Sequence, residues 1–293
     1  MRRPGLQPLT MTEFSGLTAI LGTRHGKEEV IAPLLASSLG LQVEVLHSFD
    51  TDRFGTFTGE VARVRNARDT VRAKALAALV EAPHGAFGVA SEGSFGPHPE
   101  IPFVACGLEL VMLTTRDGAV ELIGTDLTLE TNFASADLRT FDDVTAFAQR
   151  TGFPSHALIV MGCDTRLATG ASITKGIREW SVLESAVNAI IARDGCAKIE
   201  TDMRAHLNPT RMRSIARATT SLVLAAGSRC PSCKASGFVV SDVERGLPCD
   251  ACARPTRRPL AEVLVCKRCA LRLTRPIDGP TTAPAGQCDW CNP

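Results

Sequence analysis

The stretch Asn66–Gly96 decides the fold: N-A-R-D-T-V-R-A-K-A-L-A-A-L from residue 66, a short break, then F-G-V-A-S-E-G-S-F-G from residue 87. Val71, Ala75, Leu76 and Leu79 recur at helical spacing and predict a helix carrying Asp69, Arg72 and Lys74. Residues 86–90 are a short apolar run and predict a buried strand that stops at a charge between small residues, which places Glu92 at a strand end. A carboxylate on a helix and one at a strand end can share Mg²⁺, an ion that prefers oxygen ligands and substrate phosphates. A plain helix–strand pair with two solvated acids is the competing reading.

Upstream, Leu17–Gly22 reads as a first strand, followed by the turn T-R-H-G-K at residues 23–27 and an amphipathic helix closed by Gly40. A strand–turn–helix with Thr23, Gly26 and Lys27 at the turn presents backbone N–H groups and a cation, an arrangement that attracts phosphate. It lacks the G-x-x-x-x-G-K-[ST] pattern of a Walker loop. Leu41–Leu46 alternates as a second strand, and the Gly-, Thr- and Asp-rich run from His47 to Glu60 is long enough for a functional loop.

Downstream, two apolar runs joined by R-D-G at residues 116–118 predict a hairpin. A short helix follows at Phe141–Arg150 and a buried strand at Ala157–Met161. From Thr174 the run T-K-G-I-R-E-W-S-V-L-E reads as the start of an amphipathic helix with Ile177, Trp180, Leu183 and Val187 on one side. Lys175 and Arg178 then oppose the helix dipole, which hints at a bound anion. In E-T-D-M-R-A-H, Glu200, Asp202, Arg204 and His206 share one side if the chain is extended, and a solvated edge strand is the simpler account. Asn208 before Pro209 is a good helix start.

In this order the pieces resemble the inosine/xanthosine triphosphatase family, enzymes that hydrolyse aberrant purine nucleoside triphosphates. T-R-H-G-K is similar to that family's T-N-x-x-K turn, D-T-V-R-A-K-A to its E-N-x-x-x-K-A helix, A-S-E-G-S-F to its acidic turn, and T-K-G-I-R-E-W-S to its late helix start. Arg24 stands where the family has Asn, and Ser91 where it has a second acid. The resemblance implies a mixed sheet with flanking helices, and Asp69 and Glu92 as catalytic carboxylates on Mg²⁺. It also implies Thr23, Lys27, Lys74, Lys175 and Arg178 on the phosphates of a nucleotide. Loss of catalysis, leaving a nucleotide- or nucleic-acid-binding regulator, is the alternative that Arg24 and Ser91 favour.

Of eleven cysteines, Cys106, Cys163 and Cys196 are scattered and read as buried reduced thiols. The other eight form four C-x-x-C pairs: Cys230/Cys233, Cys249/Cys252, Cys266/Cys269 and Cys288/Cys291. Each pair supplies one edge of a tetrahedral zinc site, so eight cysteines make two structural Zn²⁺ centres in a double zinc ribbon. The simplest pairing is sequential, first two turns on one ion and last two on the other, with interleaving as the alternative. A region this short and this poor in large apolar groups depends on the metal for folding.

The expected organisation is a disordered leader at residues 1–12, an α/β domain at 13–225 and the zinc ribbons at 226–293. The net charge of +1 gives the whole chain no bulk attraction to nucleic acid or anionic membrane, and the apolar runs are too short to cross a bilayer. The first ten residues lack a signal-peptide core, so a cytoplasmic location is expected. Seven arginines and lysines between Arg254 and Arg275 suit a nucleic-acid partner for the ribbons. The charge of two Zn(Cys)₄ centres cancels the tail's +4, so protein docking or homodimerisation competes with it.

Overall fold

A computed structural model of the chain describes residues 13–47, 49–51, 54, 66–163 and 173–293. The proposed leader and most of the His47–Glu60 loop lie outside the described residues. The described residues divide into two compact units, one ending at Val223 and one over Leu224–Pro293. No helix among the described residues is long and apolar enough to cross a membrane.

The first unit is α/β, with a mixed sheet and flanking helices. Its leading elements are β1 (Thr18–Gly22), α1 (Glu28–Leu39), β2 (Gln42–Leu46), α2 (Ala67–Glu81), β3 (Phe87–Pro97), β4 (Ala105–Thr114) and β5 (Glu121–Thr128). They build a sheet of order β2-β1-β3-β4-β5, in which β1 is parallel to both β2 and β3 while β4 and β5 continue as antiparallel partners. Gly40 ends α1 in the left-handed conformation at φ 69°, as the sequence predicts. Asn66 caps α2 by accepting the Asp69 N–H at 2.8 Å.

Alternation along the strands decides which helix meets which face. A Cβ at Gly88 of β3 would lie 2.0 Å from the Ala75 carbonyl oxygen, so α2 packs directly on the face that Gly88, Ala90 and Glu92 share. The register Ser91↔Val111↔Gly124 defines the opposite face, where a Cβ at Gly124 would lie 2.0 Å from the Ala218 carbonyl oxygen of the last helix. Glycine is needed at both positions because backbone approaches backbone.

The strand through Glu92 differs from expectation. β3 does not stop at Ala90 but runs to Pro97 against β4. Its parallel partner β1 does stop, at the pair Gly22↔Ala90. Glu92 is therefore mid-strand by pairing with β4, yet just past the carboxyl end of β1. Its charge is tolerated there because Lys74 of α2 answers it at 2.6 Å.

The remaining elements of this unit are β6 (Ser135–Leu138), α3 (Phe141–Arg150), β7 (Leu158–Gly162), β8 (Ile173–Ile177), α4 (Trp180–Asp194), β9 (Ala197–Thr201) and α5 (Pro209–Gly227). The four strands form an antiparallel sheet of order β6-β9-β7-β8. Its core joins Leu158, Val160, Ile177 and Ile199 to Val144 and Phe147 of α3 and to Leu183, Val187 and Ile190 of α4.

Two expectations fail here for local reasons. Residues 173–177 form a strand and not a helix start, because Gly176 sits at φ 75° and the run pairs with β7; α4 begins only at Trp180. β9 is flanked by β6 and β7, so it is no solvated edge. Cys163 and Cys196 also depart from the reduced-thiol reading: they follow and precede the register pair Gly162↔Ala197 and are joined as a disulfide with Cα atoms 6.0 Å apart. Cys106 is a buried free thiol.

The second unit holds β10 (Val240–Arg245), β11 (Pro259–Val265) and β12 (Arg272–Pro276), an antiparallel meander of order β10-β11-β12. One C-x-x-C turn precedes β10, one follows each of β10 and β11, and the last comes after β12.

Candidate functional site

In the five-stranded sheet the chain leaves β1 in one direction to reach β2, and β3 lies on its other side. This is a topological switch point, and the crevice at the carboxyl ends of such strands is where open α/β sheets receive ligands. The turn Thr23–Lys27 closes over that edge. His25 and Gly26 are both left-handed, at φ 70° and 74°, a conformation a histidine adopts only when its surroundings hold it there. α1 then begins at Glu28 behind Lys27, without a side-chain cap on its first N–H groups.

Buried charge collects at this edge on both faces of the sheet. On one face, Lys74 Nζ donates to Glu92 Oε2 at 2.6 Å, both side chains almost fully buried. On the other, Lys27 Nζ donates to Ser91 Oγ at 3.2 Å. Beyond them Arg211 Nε donates to Glu109 Oε1 at 2.6 Å, and Arg211 Nη1 donates to the Met203 carbonyl. A Cβ at Gly93 would fall 2.4 Å from Glu109 Oε1 and 2.5 Å from Arg211 Nη2, so glycine makes room for this pair. Glu109 is 0% exposed, and its Oε2 has no hydrogen-bond partner among the described residues.

Burial, together with the cations Arg211 and Lys74, lowers the Lys27 ammonium to about 7, and Glu109 and Glu92 only partly oppose this. Around the turn, the His25 and His206 rings stack with centroids 5.2 Å apart, and burial brings His25 down to about 4, with His206 and Lys27 contributing. Arg204 grips the buried Asp202 through Nε at 3.0 Å and Nη2 at 2.6 Å. Near neutral pH His25 is therefore an uncharged imidazole, and the charge of Arg204 is matched by Asp202.

The expected site residues distribute unevenly. Thr23, Lys27, Lys74 and Glu92 stand at the edge. Asp69 does not share it: its carboxylate accepts from Asn66 Nδ2 at 2.7 Å and Arg72 Nη1 at 3.3 Å, and Arg72 reaches on to Glu121 of β5 at 2.6 Å. Asp69 and Glu92 each face a different cation, so the pair expected to share Mg²⁺ is not assembled. Lys175 lies on β8 beside Gly176, whose Cβ position is 3.1 Å from Arg204 Nη2. Arg178 precedes α4 and donates to the Pro154 carbonyl at 3.5 Å.

Sequence reasoning passed over Glu109 and Arg211, and met Ser91 only as the replacement of a second acid. Glu109 leaves a trace, a single charge inside the apolar run L-E-L-V-M-L, which when buried demands a buried cation. The expected Asn208 cap supplies the means: Asn208 Oδ1 accepts the Arg211 N–H at 3.0 Å, which starts α5 in the position that brings Arg211 onto Glu109.

The second unit gathers its cysteines into two groups, Cys230/Cys233/Cys266/Cys269 and Cys249/Cys252/Cys288/Cys291. The pairing is interleaved, which corrects the sequential expectation. Each successive C-x-x-C turn is separated from the last by one strand of an antiparallel meander, so neighbouring turns lie at opposite ends and alternate turns meet. Sulfur–sulfur separations of 3.7 and 3.5 Å in the first group, and 3.9 and 3.8 Å in the second, match the edge of a tetrahedron with metal–sulfur bonds of about 2.3 Å. The turns are built alike: Lys234, Ala253 and Ala270, each following the second cysteine of a pair, are left-handed at φ 62°, 58° and 58°. The donor set is that of two closed structural sites and fits zinc. Backbone N–H groups of Cys269 and Arg268 help to lower the Cys266 thiol, and those of Cys291 and Trp290 lower Cys288, while crowding against the neighbouring sulfurs and burial raise Cys233 and Cys291, so one thiol in each group ionises ahead of the others.

Residues 75–293, well over half of the chain, match the model of a family described as a domain of unknown function (DUF6671), and the chain belongs to that family. No curated protein matches it.

Proposed function

We propose that the α/β unit of this family member is a phosphohydrolase acting on a nucleotide, with the phosphates received at the Thr23–Lys27 turn. The observation that carries this reading is the convergence of Lys27, Lys74, Glu92, Glu109 and Arg211 at the switch point of the parallel strands. Lys74 and Arg211 balance the two carboxylates, and the proton that Lys27 can take up adds the positive charge that suits an arriving polyanion. The order of motifs shared with the inosine/xanthosine triphosphatases supports a purine nucleoside triphosphate as the substrate.

In this scheme Lys27 takes up a proton as the phosphates arrive and, with Lys74 and Arg211, neutralises charge developing on the transferred group. Glu92 orients the attacking water from its place on Lys74. Mg²⁺ arrives with nucleotide phosphates and is commonly met by one or two protein carboxylates. Here Asp69 does not fit that part and Glu92 alone does, so none of the steps above is assigned to the metal. The mutual neutralisation of Lys74 and Glu92 favours a second reading, a nucleotide-binding regulator without turnover.

Phosphate release from a panel of nucleoside triphosphates, inosine and xanthosine forms included, with and without Mg²⁺, separates the two. Selective turnover is expected, and Glu92→Gln should lower kcat on the order of 10²–10⁴-fold while nucleotide binding persists. Saturable nucleotide binding without turnover would establish the second reading. Absence of both would overturn the proposal.

A further inference from the structure

The second unit is poor in aromatic residues: from Leu224 onward it has Phe238, which is buried, and Trp290, which is 67% exposed. Trp290 lies inside the turn Cys288-Asp289-Trp290-Cys291, so both flanking cysteines belong to one Cys₄ group and hold the indole on a rigid base. The facing turn of the same group delivers two arginines to it. Arg254 closes the Cys249 turn by accepting the Cys249 N–H at 2.8 Å on its carbonyl, and its guanidinium carbon lies 3.5 Å from the Trp290 ring centroid. Arg257 Nε donates to Asp289 Oδ2 at 2.7 Å. This indole is buttressed by Arg254 and the turn, and is not buried.

We propose that the Trp290–Arg254 pair on the second Cys₄ group is a stacking platform for single-stranded nucleic acid. Every base has a π-face that can stack on an indole, and an arginine fixed over the same ring is aligned to reach a neighbouring phosphate. Arg257, held on Asp289 of the same turn, adds a second guanidinium beside the platform. An acidic peptide is the poorer fit. Asp250 and Asp289, with the negative charge of a metal–thiolate centre, offset Arg245, Arg254, Arg257 and Arg258, so the surface offers little bulk attraction to a polyanion. Affinity must then come from stacking, which a peptide carboxylate does not provide and a base-paired duplex hides. The proposal concerns this unit alone and stands or falls independently of any nucleotide chemistry in the α/β unit.

The chain has two tryptophans, Trp180 and Trp290, so Trp180→Phe makes Trp290 the only indole. Metal-loaded full-length Trp180→Phe protein is titrated with a twelve-residue oligothymidylate or oligouridylate while indole fluorescence is followed. Saturable quenching is expected. Binding followed independently by anisotropy of a labelled oligonucleotide should weaken about tenfold or more in Trp290→Ala and largely survive in Trp290→Phe. Three arginines at most meet phosphates, so the slope of log affinity against log salt should be no steeper than about −2. Retained metal content confirms that each variant is folded. Equal affinity of Trp290→Ala and its parent would overturn the proposal, as would absence of saturable binding to either oligonucleotide. Equal quenching by polyglutamate at the same salt would also overturn it, since it would assign the effect to charge alone.

Discussion

Replacing Cys230 and Cys266 together by serine is expected to lower bound zinc from two equivalents to one, whereas replacing Cys230 and Cys249 together removes both. The interleaved groups give this result because Cys230 and Cys266 share one centre, while Cys230 and Cys249 belong to different ones. Sequential pairing predicts the reverse for both variants, so metal content measured on the purified proteins decides the topology. The effect on folding should be large. Among the described residues of the unit, the regular structure apart from the end of α5 and one 3₁₀ turn is a three-stranded meander, and β12 is exposed along its whole length. Structural zinc in small Cys-rich modules contributes about 10–16 kcal/mol, and a sheet of this size has no comparable core to replace it. Chelation of both ions should therefore melt the unit.

The second large effect is expected at Arg211→Met. Glu109 is fully buried and Arg211 is the cation bonded to it, at 2.6 Å. Breaking a buried pair by removing one partner costs about 3–5 kcal/mol, since the remaining charge keeps its desolvation penalty and loses its compensation. Thermal unfolding should show a large fall in Tm for this variant. Glu109→Gln added to it should recover much of the loss, because the orphaned charge is removed. A single variant as stable as the parent would mean that water or another group already satisfies Glu109.

The cysteine ligands and the cap at Asn208 were legible because each depends on residues a few positions apart. The pairing of the cysteines was not, since it follows from the number of strands between turns and not from the turns themselves. The bonding of Asp69 is local and was not anticipated: Asn66 and Arg72, three residues away on either side, hold its carboxylate. The run around Lys175 was read as a helix because the apolar spacing of α4 extends backward through Ile177. Gly176 and the β-branched residues around it instead suit the irregular strand on β7. Glu109 and Arg211 stand 102 residues apart, and no local pattern links them. Lys27, Lys74 and Glu92 were singled out by the turn, helix and strand they belong to, and the fold brings these three to one sheet edge.

Hydrogen exchange of the full-length protein with and without a nucleoside triphosphate tests the central claim most directly. If the switch-point edge receives the phosphates, exchange should slow in the peptides covering Thr23–Lys27, Ala90–Phe95 and Asp202–Asn208. Lys27→Met should abolish that protection. Protection confined to other regions, or protection at this edge that Lys27→Met leaves unchanged, would contradict the account.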